Sequence, residues 1–232
     1  MGSWLSLAAL FPPTPPHYTG NEEWVLTNND GVPYVKYDGS DTVLLVSHGN
    51  AADLGDMYVI ADILNRLSGA TVIAYDYSGY GTDLGGVYSF ELMVENLESM
   101  LPLCESYERV FLVGWSIGSG PTCQVAAGRD DVDGVILISA FTSIAATVVG
   151  RPVGRLDAFH NHEMVREIDC PIHVIHGELD DVVPYNHSEQ LHNAAKVKGV
   201  FKPVPKGDHA NLFLQEDDLG SFLQEALSTC LL

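Results

Sequence analysis

The sequence is poor in basic residues and has no long apolar run. Only 11 of its 232 residues are Lys or Arg, against 31 Asp or Glu, which gives a formal net charge of −20. A charge of this sign argues against binding to nucleic acid and against electrostatic attraction to anionic lipid. No stretch approaches the roughly 20 apolar residues of a membrane-spanning helix. We therefore expect neither a nucleic-acid partner nor an integral membrane protein.

Cysteine is also scarce, and its spacing matches neither a C-x-x-C motif nor a disulfide framework. Scattered cysteines of this kind are typical of reduced thiols, so we expect a cytoplasmic protein. The four positions are Cys104, Cys123, Cys170 and Cys230.

Histidine is the residue type that invites a metal hypothesis, because the chain has nine of them. His160 and His162 are two positions apart in a polar stretch, and His173 and His176 fall on opposite faces of a predicted strand. Neither pair has the geometry of a zinc site. We expect no metal and no cofactor.

The N-terminal residues leave two interpretations open. Met1-Gly2-Ser3-Trp4-Leu5-Ser6 fits the pattern for N-myristoylation at Gly2, and an unmodified, frayed terminus explains the same residues. A single myristoyl chain gives only marginal membrane binding. We therefore divide the chain into an arm over residues 1–20, a candidate anchor for weak peripheral membrane association, and a single domain over residues 21–232.

Alternating strand and helix patterns predict an α/β fold with a mostly parallel sheet of about eight strands, helices on both faces and a minimal cap. The first two strands form a hairpin around Asn28-Asn29-Asp30-Gly31. The predicted strands are residues 24–27, 32–37, 42–47, 71–75, 110–113, 135–139, 172–176 and 200–204. The predicted helices are residues 56–67, 92–104 after the N-cap Ser89, 121–127, 186–197 and 212–227.

The most informative stretch is Gly114-Trp115-Ser116-Ile117-Gly118, which follows an apolar strand and precedes a helix. This is the sequence form of a nucleophile elbow, a turn so tight that small residues are needed two positions either side of the serine. Ser116 is therefore the candidate nucleophile, with the backbone N–H of Ile117 as an oxyanion donor.

Two later loops contain the partners that a nucleophilic serine needs. Asp180 follows the strand over 172–176, and His209 follows the strand over 200–204. The order nucleophile, acid, histidine, with one residue in each strand-end loop, predicts a catalytic triad of Ser116, Asp180 and His209. Asp181 is the rival acid, and the Gly-x-x-Asp spacing favours Asp180.

The loop after the strand over 42–47 lies where a second oxyanion donor belongs. We assign this role to the backbone N–H of Asn50, with Ala51 as the alternative. His48 is expected to brace this loop through hydrogen bonds rather than transfer protons.

On these motifs the chain resembles the serine α/β-hydrolases, and more narrowly the alpha/beta-hydrolase domain-containing protein 17 group. The more particular matches are residues 48–55 (H-G-N-A-A-D-L-G) and 75–81 (Y-D-Y-S-G-Y-G). Others are residues 11–13, 116–118, 141–143, 176–180 and 207–210. The resemblance implies an α/β-hydrolase fold and removal of palmitate from protein cysteines.

Some features depart from that group. Its members carry an N-terminal cysteine cluster, whereas the first cysteine here is Cys104. Asp83 stands where the group has serine, and Val87-Tyr88-Ser89 stands where it has Pro-Ser-Glu. These differences flank the predicted pocket and affect the expected substrate preference, not the expected mechanism.

From these features we expect a monomeric serine hydrolase that cleaves acyl esters or thioesters through an acyl-enzyme. Its expected substrate is an S-acylated protein. A lipid or small-ester carboxylesterase and a non-catalytic binding protein of the same fold remain the alternatives.

Overall fold

The computed structural model describes residues 14–150 and 157–229, and these are organised around one eight-stranded sheet. The strand order is β1-β2-β4-β3-β5-β6-β7-β8. β2 pairs antiparallel with both β1 and β4, and the remaining neighbours are parallel. The strands are β1 (Leu26–Thr27), β2 (Pro33–Tyr37), β3 (Ser40–Ser47), β4 (Ala70–Tyr75), β5 (Arg109–Trp115), β6 (Gly134–Ile138), β7 (Ile172–Gly177) and β8 (Lys198–Val204).

The sheet confirms the predicted fold class, including the N-terminal hairpin. Asn28 closes the hairpin turn, because its side-chain oxygen accepts hydrogen bonds from the N–H groups of Asp30 and Val32. β2, the second strand of the hairpin, also pairs antiparallel with β4. The sheet is therefore mixed at this edge and parallel through its centre.

Helices cover both faces of the sheet, and β3 shows why both faces are buried. Val43 and Leu45 pack into one core cluster and Leu44 and Val46 into the other, each at most 1% exposed. Helices α1 and α7 pack on the second cluster, and α2, α3 and α6 on the first. The helices are α1 (Leu54–Ser68), α2 (Phe90–Met100), α3 (Ser119–Ala126), α4 (Ile144–Val149), α5 (Asn161–Met164), α6 (Asn186–Ala194) and α7 (Glu216–Ser228).

The last two predicted helices are shorter than expected. The helix predicted over 212–227 is broken at Gln215, whose ψ of 60° is not helical, into a 3-10 turn Leu212–Leu214 and α7. The helix predicted over 186–197 ends at Ala194, because Ala195 has a ψ of 133°, which is not helical. Apolar spacing continues through Ala195, which is why the pattern alone did not locate that break. At the other break the spacing is interrupted by the polar run 215–218.

Side-chain caps fix the starts of two helices near the carboxyl edge of the sheet. Ser89 caps α2 as predicted, its hydroxyl accepting from the N–H of Leu92. Asp53 caps α1 by accepting from the N–H groups of Gly55 and Asp56, and the Asp56 carboxylate accepts in return from the Asp53 N–H. This reciprocal capping box sets where the loop after β3 ends.

Residues 14–18, part of the predicted arm, contact the domain at that loop. The Thr14 hydroxyl donates to the Ala51 carbonyl, and the His17 N–H donates to the Asp53 carboxylate. Tyr18 is buried, and its hydroxyl donates to Asp76 Oδ2 at 2.6 Å. A division at residue 20 stays a prediction, and Gly2 lies outside the described residues.

Two further expectations concern membranes and thiols. Within residues 14–150 and 157–229, none of the helices is long and apolar enough to cross a bilayer. Cys104, Cys123 and Cys170 are free and buried. Burial raises the pKa of Cys104 and of Cys170 to about 12, so both thiols stay protonated at neutral pH. Cys230 lies outside the described residues.

His17 is expected to stabilise the fold only while it is protonated. The hydrogen bond that Nδ1 of His17 donates to Asp56, together with the charges of Asp56 and Asp53, raises the pKa of His17 above its usual value of 6.5. A raised folded-state pKa gives stabilisation that is complete below about pH 6.5 and is lost as pH rises through the folded-state value. Urea denaturation should therefore show wild type more stable than His17→Gln at about pH 6, with the difference vanishing near about pH 9.

Asp56→Asn is the control for this comparison, because it removes the main partner of His17. In that background the effect of His17→Gln should depend much less on pH. A wild-type advantage that grew toward alkaline pH would contradict the assigned charge.

Candidate active site

Ser116 occupies a strained turn between β5 and α3. Its φ is 52°, in the left-handed region that non-glycine residues rarely adopt. A Cβ added at Gly118 would lie 2.1 Å from the Ser47 carbonyl oxygen, and one at Gly114 would lie 2.6 Å from the Cα of Ser119. Both obstacles are backbone atoms. Gly118 is therefore required for the turn to lie against β3, and Gly114 for the start of α3 to lie against β5.

Two buried polar side chains hold this turn in place. The Ser119 hydroxyl donates to the carbonyl of Ser116 at 2.7 Å. The side-chain amide of Asn161, from α5, donates to the Ser119 hydroxyl at 3.1 Å and to the Phe141 carbonyl at 3.0 Å. These contacts fix the nucleophile's backbone from outside the motif.

The structure brings Ser116, His209 and Asp180 together. Nε2 of His209 lies 3.0 Å from the Ser116 Oγ, and Nδ1 of His209 lies 2.8 Å from Asp180 Oδ2. Because the ionised carboxylate can only accept, Nδ1 of His209 carries the proton and Nε2 offers its lone pair to the serine hydroxyl. This is the tautomer that a general base needs.

Asp180 is held as a carboxylate in a buried position. Burial acts to raise the pKa of its carboxyl, but hydrogen bonds from His176, His209 and the Val183 N–H outweigh burial and lower the pKa well below the usual range. Its Oδ1 accepts from the N–H groups of Val182 and Val183 at 3.0 and 2.8 Å. The neighbouring Asp181 is exposed, so the geometry favours Asp180 as the acid.

The loop after β3 lies beside the serine. Asn50 and Ile117 both line the cavity that contains Ser116 and His209, whereas Ala51, with a φ of 62°, does not. The Tyr80 hydroxyl donates to the side-chain oxygen of Asn50 at 3.0 Å.

His48 lies fully buried beneath this loop and does not reach the cavity. Nδ1 of His48 lies 2.8 Å from the Gly49 carbonyl, and the backbone carbonyl of His48 accepts from the Tyr77 hydroxyl at 2.8 Å. Its Nε2 lies 3.4 Å from the buried Asp76 carboxylate. These contacts agree with a bracing role for His48.

A cavity of about 160 Å³ opens beside Ser116, and its walls are largely apolar. The segment between β6 and β7 and the loop around Asp180 both contribute side chains to the cavity wall. Besides Ser116, His209 and Asn50 it is lined by Ile117, Phe141, Ile144, Thr147, Val182 and Val183.

Of the histidines considered as metal ligands, His173 and His176 have protein partners. His173 accepts from the Val200 N–H, and burial lowers its pKa to about 4. Within the part of the chain that the structure describes, the one group of three ligand-type side chains is His17, Asp53 and Asp56. Its hydrogen bonds are those of the capping box and the N-terminal segment, which account for it without an ion.

Sequence reasoning did not identify Asn161, Tyr80 or His176 as parts of the site. Tyr80 and His176 lie in the motifs Y-D-Y-S-G-Y-G and 176–180. The Asn50 partner of Tyr80 is 30 positions away. Asp180 is only four positions from His176, so this contact lies within a single motif. Nothing around Asn161 signals its contact with Ser119, since the two residues are 42 positions apart.

Comparisons with known proteins agree with this architecture. The family model described as "Serine aminopeptidase, S33" matches residues 38–162, more than half of the chain, including Asn50 and Ser116. Alpha/beta hydrolase domain-containing protein 17B of Homo sapiens is 35% identical over 165 residues, which cover 68% of this chain and 55% of that protein. Alpha/beta hydrolase domain-containing protein aho-3 of Caenorhabditis elegans is 33% identical over 181 residues, covering 75% and 54%. The chain thus spans about half the length of these relatives.

Among solved structures, esterase Pf2001 of Pyrococcus furiosus superposes with a TM-score of 0.69 at 17% identity, covering 94% of this chain and 99% of that chain. Est1E of Butyrivibrio proteoclasticus, solved with ferulic acid, gives a TM-score of 0.66 at 16% identity, covering 86% and 98%. At these identities the superpositions show the fold alone. With the family match over residues 38–162, they establish that the chain belongs to the α/β-hydrolases, in the family described as "Serine aminopeptidase, S33".

Proposed function

We propose that the protein is a serine hydrolase that cleaves acyl esters or thioesters through an acyl-enzyme. The observation that carries the proposal is the hydrogen-bonded series Ser116–His209–Asp180 at the mouth of an apolar cavity. A serine that is hydrogen-bonded to a general base and lies next to an apolar pocket suits a substrate with an acyl chain and a reactive carbonyl.

In the first half of the reaction, the Ser116 Oγ attacks the acyl carbonyl while Nε2 of His209 takes the hydroxyl proton. The Asp180 carboxylate stabilises the resulting imidazolium. The N–H groups of Ile117 and Asn50 hold the oxyanion, and loss of one such donor typically costs about 2.7–4 kcal/mol of barrier. His209 then gives the proton to the leaving thiol or alcohol, and water activated by His209 releases the acid.

For the substrate, we propose the S-acyl cysteine of a protein, as the resemblance to the protein 17 group implies. The described part of the segment between β6 and β7 holds only the short helices α4 and α5, and no large cap is present within residues 139–150 and 157–171. A site with so little cover suits an acyl group carried on a bulky leaving group.

A specific observation favours short-chain esters as a second candidate. The cavity of about 160 Å³ is smaller than the roughly 300–1,000 Å³ of sites that enclose drug-sized ligands. A palmitoyl chain would need more space than this lining encloses.

Ser116→Ala should abolish covalent labelling by a fluorophosphonate probe and reduce ester turnover by about 10⁴-fold or more, because the nucleophile is lost. Labelling is measured by mass spectrometry of the intact protein and turnover with p-nitrophenyl butyrate. Ser221→Ala, an exposed serine in α7, is the matched control and should behave as wild type. Absence of labelling in wild type would favour a non-catalytic binding protein.

Asp180→Asn and Asp181→Asn form a matched pair that tests the acid. Only the first removes the charge that holds His209, so kcat should fall by roughly 10⁴-fold in Asp180→Asn and stay within about twofold of wild type in Asp181→Asn. The reverse order would move the acid to Asp181.

Chain-length selectivity separates the two substrate candidates. We expect S-palmitoyl and S-octanoyl peptides to be hydrolysed with kcat/KM at least equal to that of the S-acetyl peptide, because burial of each added methylene contributes about 0.8 kcal/mol. Hydrolysis is measured by release of free thiol, with Ser116→Ala as background. Activity confined to acetyl and butyryl groups would support the short-chain esterase instead.

A further inference from the structure

A second histidine contacts the carboxylate that orients His209. Nε2 of His176, at the end of β7, lies 3.1 Å from Asp180 Oδ2, the same oxygen that Nδ1 of His209 approaches at 2.8 Å. The side chains of His176 and Asp180 are both fully buried. A polar contact at this depth is strong, and leaving either group unpaired there would be costly.

The protonation of His176 at Nε2 follows from its surroundings. Nε2 faces two groups, Asp180 Oδ2 and the Val183 carbonyl at 2.9 Å, and both can only accept. Nε2 therefore carries a proton. The N–H of Val183 donates to Asp180 Oδ1, so both oxygens of the carboxylate accept hydrogen bonds.

The other ring nitrogen of His176 pairs with Ser188, from α6. Nδ1 lies 2.6 Å from the Ser188 Oγ, whereas that Oγ lies 3.3 Å from the Ala140 carbonyl. The hydroxyl has one proton, for which Nδ1 and the Ala140 carbonyl compete, and we assign it to the shorter contact, with Nδ1 as its acceptor. His176 is then neutral, and no charge has to be buried at this position.

We propose that His176 is a positioning residue for the reaction of Ser116, held by Ser188 in its neutral, Nε2-protonated form. It fixes the carboxylate of Asp180 in the orientation that Nδ1 of His209 requires. Because it is neutral, it leaves the negative charge of Asp180 available to stabilise the His209 imidazolium. The arrangement extends the site to Ser188–His176–Asp180–His209–Ser116, and it rests on the proposed function of Ser116.

The kinetic test compares two replacements of His176 with a control on the same strand. His176→Phe keeps a ring but removes the donor. We expect kcat and the fluorophosphonate inactivation rate to fall by about 10- to 100-fold, the range seen when a group that orients a metal-ligating side chain is removed. KM should stay within about twofold. His176→Gln retains an N–H donor and should restore most of kcat.

His173→Phe is the control, since His173 is equally buried in β7 and its ring contacts the N–H of Val200 rather than Asp180. Its kcat should match wild type even where its melting temperature falls as far as that of His176→Phe. Equal kcat for wild type and His176→Phe, or equal losses in His176→Gln and His176→Phe, would overturn the proposal.

A spectroscopic test does not depend on turnover. Long-range ¹H–¹⁵N correlation spectra of histidine-labelled protein should show His176 as the neutral Nε2–H tautomer, and the Nδ1–H signal of His209 should weaken in His176→Phe. An imidazolium or an Nδ1–H tautomer at His176 would overturn the proposal. If wild type is not labelled by the fluorophosphonate, the proposed function fails, and these spectra still decide whether His176 orients Asp180 and His209.

Discussion

The left-handed backbone of Ser116 is the constraint on which the rest of the site depends. A non-glycine residue in this conformation costs about 1–3 kcal/mol and persists only where its surroundings over-determine it. Here the surroundings are the close packing of Gly118 against the Ser47 carbonyl and the hydrogen bond from Ser119 to the Ser116 carbonyl. The same packing brings the loop after β3 next to the serine, so one steric fit positions both the nucleophile and the loop that contains Asn50.

The elements that the sequence predicted correctly are those whose signal is local. Continuous apolar strands, the Ser89 cap and the Gly-x-Ser-x-Gly turn each depend on residues a few positions apart. The convergence of Ser116, Asp180 and His209 could also be predicted, because the carboxyl ends of parallel strands meet at one edge of a sheet.

What the sequence could not predict depends on contacts between distant residues. The Tyr80–Asn50 and Asn161–Ser119 hydrogen bonds span 30 and 42 positions, and nothing in either local pattern signals the partner. The breaks after Ala194 and at Gln215 were missed for a different reason. Buried positions continue at helical spacing across the first break, at residues 187, 191 and 195, so apolar periodicity does not show where the backbone leaves that helix. Only the polar run 215–218 accompanies the second break.

Four histidines make buried polar contacts within the described residues. His48, His173, His176 and His187 are all at most 8% exposed. Burial lowers the pKa of His187, as it does that of His173, so both are neutral at physiological pH. A neutral imidazole can satisfy one buried donor and one buried acceptor without the desolvation cost of a buried Lys or Arg.

The cavity beside Ser116 combines a fixed wall with an open rim. Helix α4, which supplies Ile144 and Thr147, is anchored at its start by the buried carboxylate of Asp157, which accepts from the Ser143 hydroxyl at 2.6 Å and from the Ala145 N–H at 2.7 Å. On the other side Val182 lines the cavity while 55% exposed. A group bound in the cavity would therefore be limited on the α4 side and would meet less enclosure beside Val182.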